Sequence, residues 1–140
     1  MADRIQFELV SPARLLTSME VDMIVVPGTE GDFAVLPGHM PVVSTLRPGA
    51  VDVYVGNTDK PSERFFVAGG FAEVALDTFT VLAETAIPMA DLDRSHLEQE
   101  ITNTREDIED ARSDEDRQAA EERLSQLEDM LNSLAEFTRV

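Results

Sequence analysis

The chain has 140 residues, of which 43% are hydrophobic and 28% are charged, a composition typical of one or two small globular domains. Asp and Glu number 28 against 11 Lys and Arg, so the formal net charge is −17. Proteins that bind nucleic acid or anionic lipid neutralise phosphates with Lys and Arg, and this balance argues against both classes. We expect a binding partner to be neutral or basic where it touches this chain.

The sequence contains no cysteine, which excludes disulfide bonds and thiol chemistry. Its first residues run into an alternating pattern without an apolar signal segment, and no apolar stretch approaches the roughly 18 residues of a membrane span. We therefore predict no direct insertion into a membrane, and a cytoplasmic compartment is compatible with this composition.

Residues 1–90 have the pattern of short β-strands. Ile5, Phe7 and Leu9 alternate with Gln6 and Glu8, which is the period of a half-buried strand. All seven glycines and all seven prolines lie in this part, where turn residues separate short apolar runs. The pattern predicts an antiparallel β-sandwich or flattened barrel. The further runs are 23–26, 33–36, 41–46, 51–55, 65–68, 71–76 and 79–83.

Residues 91–140 contain no further Gly or Pro and have a helical period. Two apolar stripes step by three and four residues, which predicts two amphipathic helices. Asp93 and Ser113 are suited to cap their N-termini, and the short break between the stripes favours an antiparallel helical hairpin. A coiled-coil dimer seam is the alternative. The stripes are Leu97, Ile101, Thr104, Ile108 and Ala111, then Ala120, Leu124, Leu127, Leu131 and Leu134.

Motifs that carry chemistry are missing from the pattern. His39 and His96 are far apart and have no ligand-type neighbour at metal-binding spacing. No nucleophile elbow occurs, and no Gly-Lys-Ser/Thr follows any glycine turn. We predict no catalytic residue, no metal site and no bound cofactor.

Two segments carry more specific features than turns require. In residues 26–41, Pro27-Gly28 and Pro37-Gly38 are predicted turns on either side of a short strand, presenting Glu30, Asp32 and His39 at one end of the sheet. Loops at the end of a rigid sandwich often carry binding residues. The second segment, residues 66–74, is predicted to be a hairpin that turns at its Gly-Gly pair.

These segments resemble the epsilon subunit of bacterial and chloroplast ATP synthases, called delta in mitochondria. The resemblance is carried by four stretches in the family's order and spacing, and by the sandwich-then-hairpin architecture. The stretches are Phe7-Glu8-Leu9-Val10-Ser11-Pro12, residues 27–41, Gly69-Gly70-Phe71-Ala72-Glu73-Val74 and residues 80–86.

The resemblance implies a non-catalytic rotor subunit that couples proton flow to ATP synthesis. Its sandwich, residues 1–90, would pack on the base of the gamma shaft and touch the polar loops of the membrane c-ring. By position, Glu30, Gly31, Asp32 and His39 are the candidates for the c-ring and gamma-base contact, and Ser11 lies where the first turn would face gamma. The resemblance also implies a peripheral location on the cytoplasmic face of the bacterial inner membrane.

The helical hairpin, residues 91–140, departs from the family in two ways. Many members bind ATP there through Ile/Leu-Asp-x-x-Arg-Ala, but here His96-Leu97 replaces Arg-Ala, leaving Asp93 and Arg94 as weak ATP candidates. Many members also inhibit ATP hydrolysis by extending the second helix toward acidic groups of the catalytic subunits. Residues 114–137 have 8 acidic and 2 basic side chains, so we predict weak inhibition through any contact with alpha or beta subunits.

Two other classes of function remain open on residue patterns alone. One is an acidic adaptor whose hairpin binds a partner helix. The other is a small enzyme with a site around His39 and Asp32, which would need a concave pocket there.

Overall fold

The computed structural model describes residues 4–38, 40–56 and 59–138, the last three of them by their backbone alone. The chain divides into two compact units, Met1–Met89 and Ala90–Val140. The first unit is a β-sandwich and the second is a pair of α-helices, which confirms the predicted fold class. Across the described ranges, no helix has the length and apolarity needed to cross a membrane.

The described part of the first unit forms eight strands. In the sheet they follow the order β2-β1-β8-β7-β6-β3-β4, and β5 pairs with β7 beyond the end of β6. The β1–β8 pair is parallel, whereas the other pairs are antiparallel. The strands are β1 Ile5–Ser11, β2 Arg14–Val21, β3 Met23–Gly28, β4 Gly31–Val35, β5 Val42–Thr45, β6 Gly49–Tyr54, β7 Glu63–Val74 and β8 Thr78–Pro88.

The core of the sandwich is a cluster of 17 buried residues among those described. It contains the alternating residues Ile5, Phe7 and Leu9 of β1, as the period of two predicts. The rings of Phe7 and Phe79 meet edge to face, with their centroids 6.0 Å apart.

The predicted hairpin at Gly69-Gly70 is wrong, because both glycines lie inside the single strand β7. Their φ angles are +70° and +138°, which L-residues rarely adopt. Before the pair, Phe65 and Val67 face the core; after it, Ala72 and Val74 do. Since 67 and 72 differ by an odd number, the glycine pair exchanges the two faces of the strand.

Two further expectations need correction. Pro27-Gly28 is not a turn, because both residues are buried inside β3 and the chain reverses after them. The apolar runs also do not predict β2, since Thr17, Ser18 and Glu20 interrupt its apolar residues.

A 3-10 turn over Met89–Asp91 spans the boundary between the units. The helices of the second unit are α1, Arg94–Asp110, and α2, Asp114–Thr138. Both predicted caps are confirmed. The Asp93 carboxylate accepts hydrogen bonds from the backbone N–H groups of Ser95 and His96 at 2.9 and 3.4 Å, and the Ser113 hydroxyl accepts one from Asp116 N–H at 3.1 Å.

The buried stripes match the prediction in part on both helices. On α1, Leu97, Ile101 and Thr104 are buried, whereas Ile108 is half-buried and Ala111 lies just beyond the helix. On α2 the buried side chains are Leu127, Met130, Ser133 and Leu134, whereas Leu124 and Leu131 are half-buried. The apolar period alone does not predict Met130 and Ser133, since they lie beside the stripe.

We propose that the sandwich is an independently folding domain, because every member of its core cluster lies between Ile5 and Ala83. A chain truncated after Asp91 should unfold in one cooperative transition in urea. The measurement is circular dichroism, with coincident midpoints expected in the far and near ultraviolet. A truncated chain with far-ultraviolet signal but no near-ultraviolet signal would contradict this, because it would be a molten state.

Candidate functional site

The β3–β4 hairpin carries three of the predicted partner-binding residues. Its tip, residues 28–32, reverses the chain at Thr29 and Glu30, and Gly31 has a φ of +135°. Glu30, Gly31 and Asp32 are all exposed, as expected for residues that meet a partner.

The connection from β5 to β6 holds the hairpin tip in place. The backbone N–H of Thr29 donates to the carbonyl of Thr45 at 3.2 Å, and the N–H of Arg47 donates to the carbonyl of Pro27 at 2.9 Å. The hydroxyls of Thr29 and Thr45 share a hydrogen bond of 3.2 Å. The Arg47 guanidinium of the connection forms an ion pair with the carboxylate of Asp32, which lies in β4. The tip is therefore attached by backbone, hydroxyl and ionic contacts.

An open groove of about 600 Å³ lies between the hairpin tip and β5. One wall is formed by residues 28–33 and the other by residues 42–45. Asp32 on its wall is exposed and ion-paired, and is therefore accessible to a macromolecular surface. The enzyme hypothesis needs a concave pocket at His39, which lies outside the described residues.

The sequence pattern predicted that the turn at Pro37-Gly38 lies at the same end of the sheet as the hairpin tip. The structure places the two at opposite ends of β4. Glu30 immediately precedes β4 and Pro37 comes two residues after its end, so the five residues of β4, which span about 16 Å, lie between them. The candidate residue His39 lies outside the described residues.

A row of apolar side chains crosses the face of the sheet opposite the core. It consists of Leu15, Val10, Leu82 and Phe71, on the adjacent strands β2, β1, β8 and β7, and we call it the apolar row. Leu15 is 53% exposed, Phe71 37% and Leu82 36%. Cross-strand neighbours lie about 5 Å apart, so the four side chains form one continuous surface.

The apolar row links the two regions that the sequence pattern treated separately. At one end, Ser11 follows Val10 in β1, and its hydroxyl donates to the carbonyl of Arg14 at 3.3 Å. At the other end, Phe71 pairs with Thr45, which is hydrogen-bonded to Thr29 of the hairpin tip. One surface therefore runs from the first turn to the hairpin tip.

Carboxylates border the apolar row. Glu8 and Glu73 flank Thr80 in the neighbouring cross-strand positions, and the exposed Glu84 follows Leu82 on its own face of β8. An apolar strip with acidic margins suits a partner whose apolar patch is bordered by Lys or Arg.

Ion pairs join the two helices of the second unit. Arg105 of α1 lies 3.7 Å from Glu128 of α2, and Arg123 of α2 lies 3.3 Å from Glu100 of α1. The other basic residue of residues 114–137, Arg117, is 3.6 Å from Asp114 one turn earlier. Both arginines of residues 114–137 are thus engaged inside the hairpin.

The two ATP candidates, Asp93 and Arg94, lie at the N-terminus of α1. Asp93 uses its carboxylate as the helix cap, and Arg94 is the exposed first residue of the helix. Neither lines the shallow depression of about 280 Å³ between the helices, where Glu98, Glu128 and Arg105 lie. Two carboxylates against one guanidinium leave this depression with a net negative charge, which disfavours an anionic ligand.

The pKa of one carboxyl group on α2, that of Asp129, is raised above its ordinary value. Burial raises the pKa of the Asp129 carboxyl, and the neighbouring Glu128 raises it further. Because the pKa is higher in the folded chain, the stability that this group contributes is present at low pH and is lost as the pH rises through the folded value.

Comparison with known proteins assigns both units to the same family of proteins. Residues 4–89 match the family model of the ATP synthase delta/epsilon chain β-sandwich domain, and residues 93–134 match that of the C-terminal domain of the ATP synthase epsilon chain. The chain belongs to the ATP synthase epsilon chain family. This confirms the resemblance and the prediction of a non-catalytic subunit.

Relatives in the epsilon chain family align over nearly the whole length. The ATP synthase epsilon chain of Parvibaculum lavamentivorans is 48% identical over 96% of this chain and 100% of its own length. That of Rhodospirillum centenum is 52% identical over 96% of this chain and 94% of its own length.

Two solved structures share the fold. A chain of the Euglena gracilis mitochondrial ATP synthase superimposes with a TM-score of 0.73 at 21% identity, covering 96% of this chain and 81% of that one. A chain from the central stalk and c-ring of the Tetrahymena thermophila mitochondrial ATP synthase gives 0.61 at 16% identity, covering 93% and 96%.

Sequence patterns did not identify the apolar row or Arg47 as site residues. Phe71 and Leu82 lie in apolar runs typical of core strands. The glycine pair in β7 changes the face of Phe71, whereas Leu82 faces outward by alternation with the core residues Val81 and Ala83 of β8. Arg47 is 15 residues from Asp32, and nothing local indicates that they meet.

Proposed function

We propose that this epsilon chain is a rotor subunit of a proton-translocating F-type ATP synthase, joining the gamma shaft to the c-ring and coupling proton flow to ATP synthesis. The observation that carries the proposal is the continuous surface from Ser11 through the apolar row to the hairpin tip. The apolar row packs on the base of gamma, and Glu30 at the tip meets the polar loops of the c-ring.

The apolar row supplies affinity, and the charges around it supply orientation. Fully burying a Leu or Phe side chain contributes about 1.5–3 kcal/mol before the costs of association are subtracted. The bordering Glu8, Glu73 and Glu84 favour a basic rim on gamma and disfavour docking in other orientations. A close-packed sandwich core transmits torque because it deforms little.

The location follows from the partners. A net charge of −17 repels anionic headgroups, so the chain is held at the cytoplasmic face of the bacterial inner membrane through the complex. The helical hairpin remains compact and makes at most a weak contact with the alpha and beta subunits.

Weak inhibition of ATP hydrolysis follows from the charge of α2 and its ion pairs. An inhibitory pose would bring a segment with a net charge of −6, residues 114–137, against acidic groups. It would also separate Arg105 from Glu128 and Arg123 from Glu100, the pairs that join the helices. Screening over a Debye length of about 8 Å weakens this repulsion without reversing its sign.

Reconstitution of the synthase with the full chain or with residues 1–91 tests both parts of the proposal. Both forms should restore proton-driven ATP synthesis to enzyme depleted of this subunit. Rates of ATP hydrolysis by the two assembled enzymes should agree within about twofold.

A severalfold rise in hydrolysis on truncation would contradict weak inhibition while leaving the coupling role intact. Failure of the full chain to restore synthesis would contradict the coupling role. Restoration by the full chain but not by residues 1–91 would place assembly in the helical hairpin and favour the acidic adaptor.

A further inference from the structure

The carboxylate of Asp32, a candidate partner contact, already has a partner inside the protein. The Arg47 guanidinium pairs with it, and the two side chains, of Arg47 and Asp32, are 43% and 60% exposed respectively. The pair has no net charge, so a partner that approaches the hairpin tip meets the charge of Glu30. The role of Asp32 therefore differs from that of its neighbour two residues earlier.

The ion pair connects β4 directly with the β5–β6 connection, whereas the isolated bridge between Gly28 and Leu46 joins that connection only to the end of β3. β4 is the last strand in the sheet order and pairs only with β3, and no sheet pairing among the described residues joins it to the β5–β6 connection. Arg47 lies in that connection, anchored by its own N–H to Pro27 and by the buried Leu46 before it. Its side chain reaches from this fixed point to the second residue of β4.

We propose that Arg47 and Asp32 form a clamp that positions the hairpin tip, so that Glu30 is presented to the rotor partner in one orientation. This inference rests on the proposed function. Arg47 and Asp32 are positioning residues, and Glu30 is the contact residue. Near the clamp, the N–H of Thr29 donates a hydrogen bond to the carbonyl of Thr45 in β5. Exchange of this amide hydrogen therefore reports whether the hairpin tip is held against β5.

The test compares Asp32→Asn, Arg47→Gln and the exchanged double variant Asp32→Arg/Arg47→Asp with the full-length wild-type protein. One readout is hydrogen exchange of the Thr29 amide in the free protein, measured by NMR. The other is affinity for the detergent-purified subcomplex of gamma and c-ring. Glu30→Gln is the matched control, since it removes a charge at the same tip without altering the clamp.

Each single variant should raise Thr29 amide exchange about two- to fivefold, the range expected for an exposed ion pair, and should weaken affinity by a similar factor. The exchanged variant should restore both toward wild type. Glu30→Gln should weaken affinity and leave the exchange rate unchanged.

Three results would overturn the clamp. Unchanged Thr29 exchange in both single variants would show that the ion pair does not hold the tip. Exchange restored by the double variant without restored affinity would assign Asp32 to direct contact. Leu82→Asp, in the apolar row, is measured alongside these variants. Unchanged affinity in all of them would overturn the proposed function, and with it the role of the clamp in partner binding.

Discussion

Replacing Gly70 by alanine is expected to lower the free energy of unfolding of the sandwich by about 3–5 kcal/mol. A Cβ at this position would lie 1.8 Å from the carbonyl oxygen of Leu82 and 2.9 Å from the Cα of Ala83, both backbone atoms of β8. The φ of +138° adds strain of about 1–3 kcal/mol for a residue with a side chain. The hydrogen bond that Gly70 accepts from Leu46 N–H at 3.1 Å opposes a shift of β7 away from β8.

Gly31→Ala is the matched control for this experiment. Gly31 has nearly the same φ, +135°, but a Cβ there has no neighbour within 4 Å. Its substitution should cost about 1–2 kcal/mol, from backbone strain alone. The measurement is urea unfolding of both variants at equal m-value. Equal losses would show that the steric conflict at Gly70 is relieved by movement of β8.

Substitution of Leu82 by aspartate should weaken binding to a gamma-containing subcomplex by at least about 30-fold. Leu82 lies in the middle of the apolar row, between Val10 and Phe71, where an interface is driest and truncations cost about 2 kcal/mol or more. A carboxylate there would be buried without a partner against an apolar surface, which costs more than truncation.

Leu76→Asp is the control, because Leu76 is also an exposed leucine, at 71%, but lies between β7 and β8 outside the row. It should change affinity less than about threefold. Leu15→Asp, at the more exposed end of the row, should weaken affinity by a factor between those of Leu82→Asp and Leu76→Asp. Affinities are measured by surface plasmon resonance after circular dichroism shows that each variant is folded. Equal effects of Leu82→Asp and Leu76→Asp would contradict the assignment of the face.

Local patterns were sufficient for the architecture and for the helix boundaries. The periods of two and of three to four separate the strands from the helices, and each depends on residues close together in the chain. Asp93 and Ser113 were identifiable as caps because a cap bonds to backbone N–H groups two or three residues later. The net charge of −17, with its bearing on partners, is also read directly from composition.

Pairing between distant segments was needed for the binding surface. Whether Phe71 faces the core or the solvent depends on the change of face at Gly69-Gly70, which simple alternation along β7 does not show. Its pairing with Leu82, on the outward face of β8, depends on the register between the two strands, and one residue of offset would set Phe71 opposite a core-facing residue of β8. The contact between Arg47 and Asp32 likewise depends on how the β5–β6 connection packs beside β3. This packing joins segments that are distant in the chain, so local sequence patterns do not predict it.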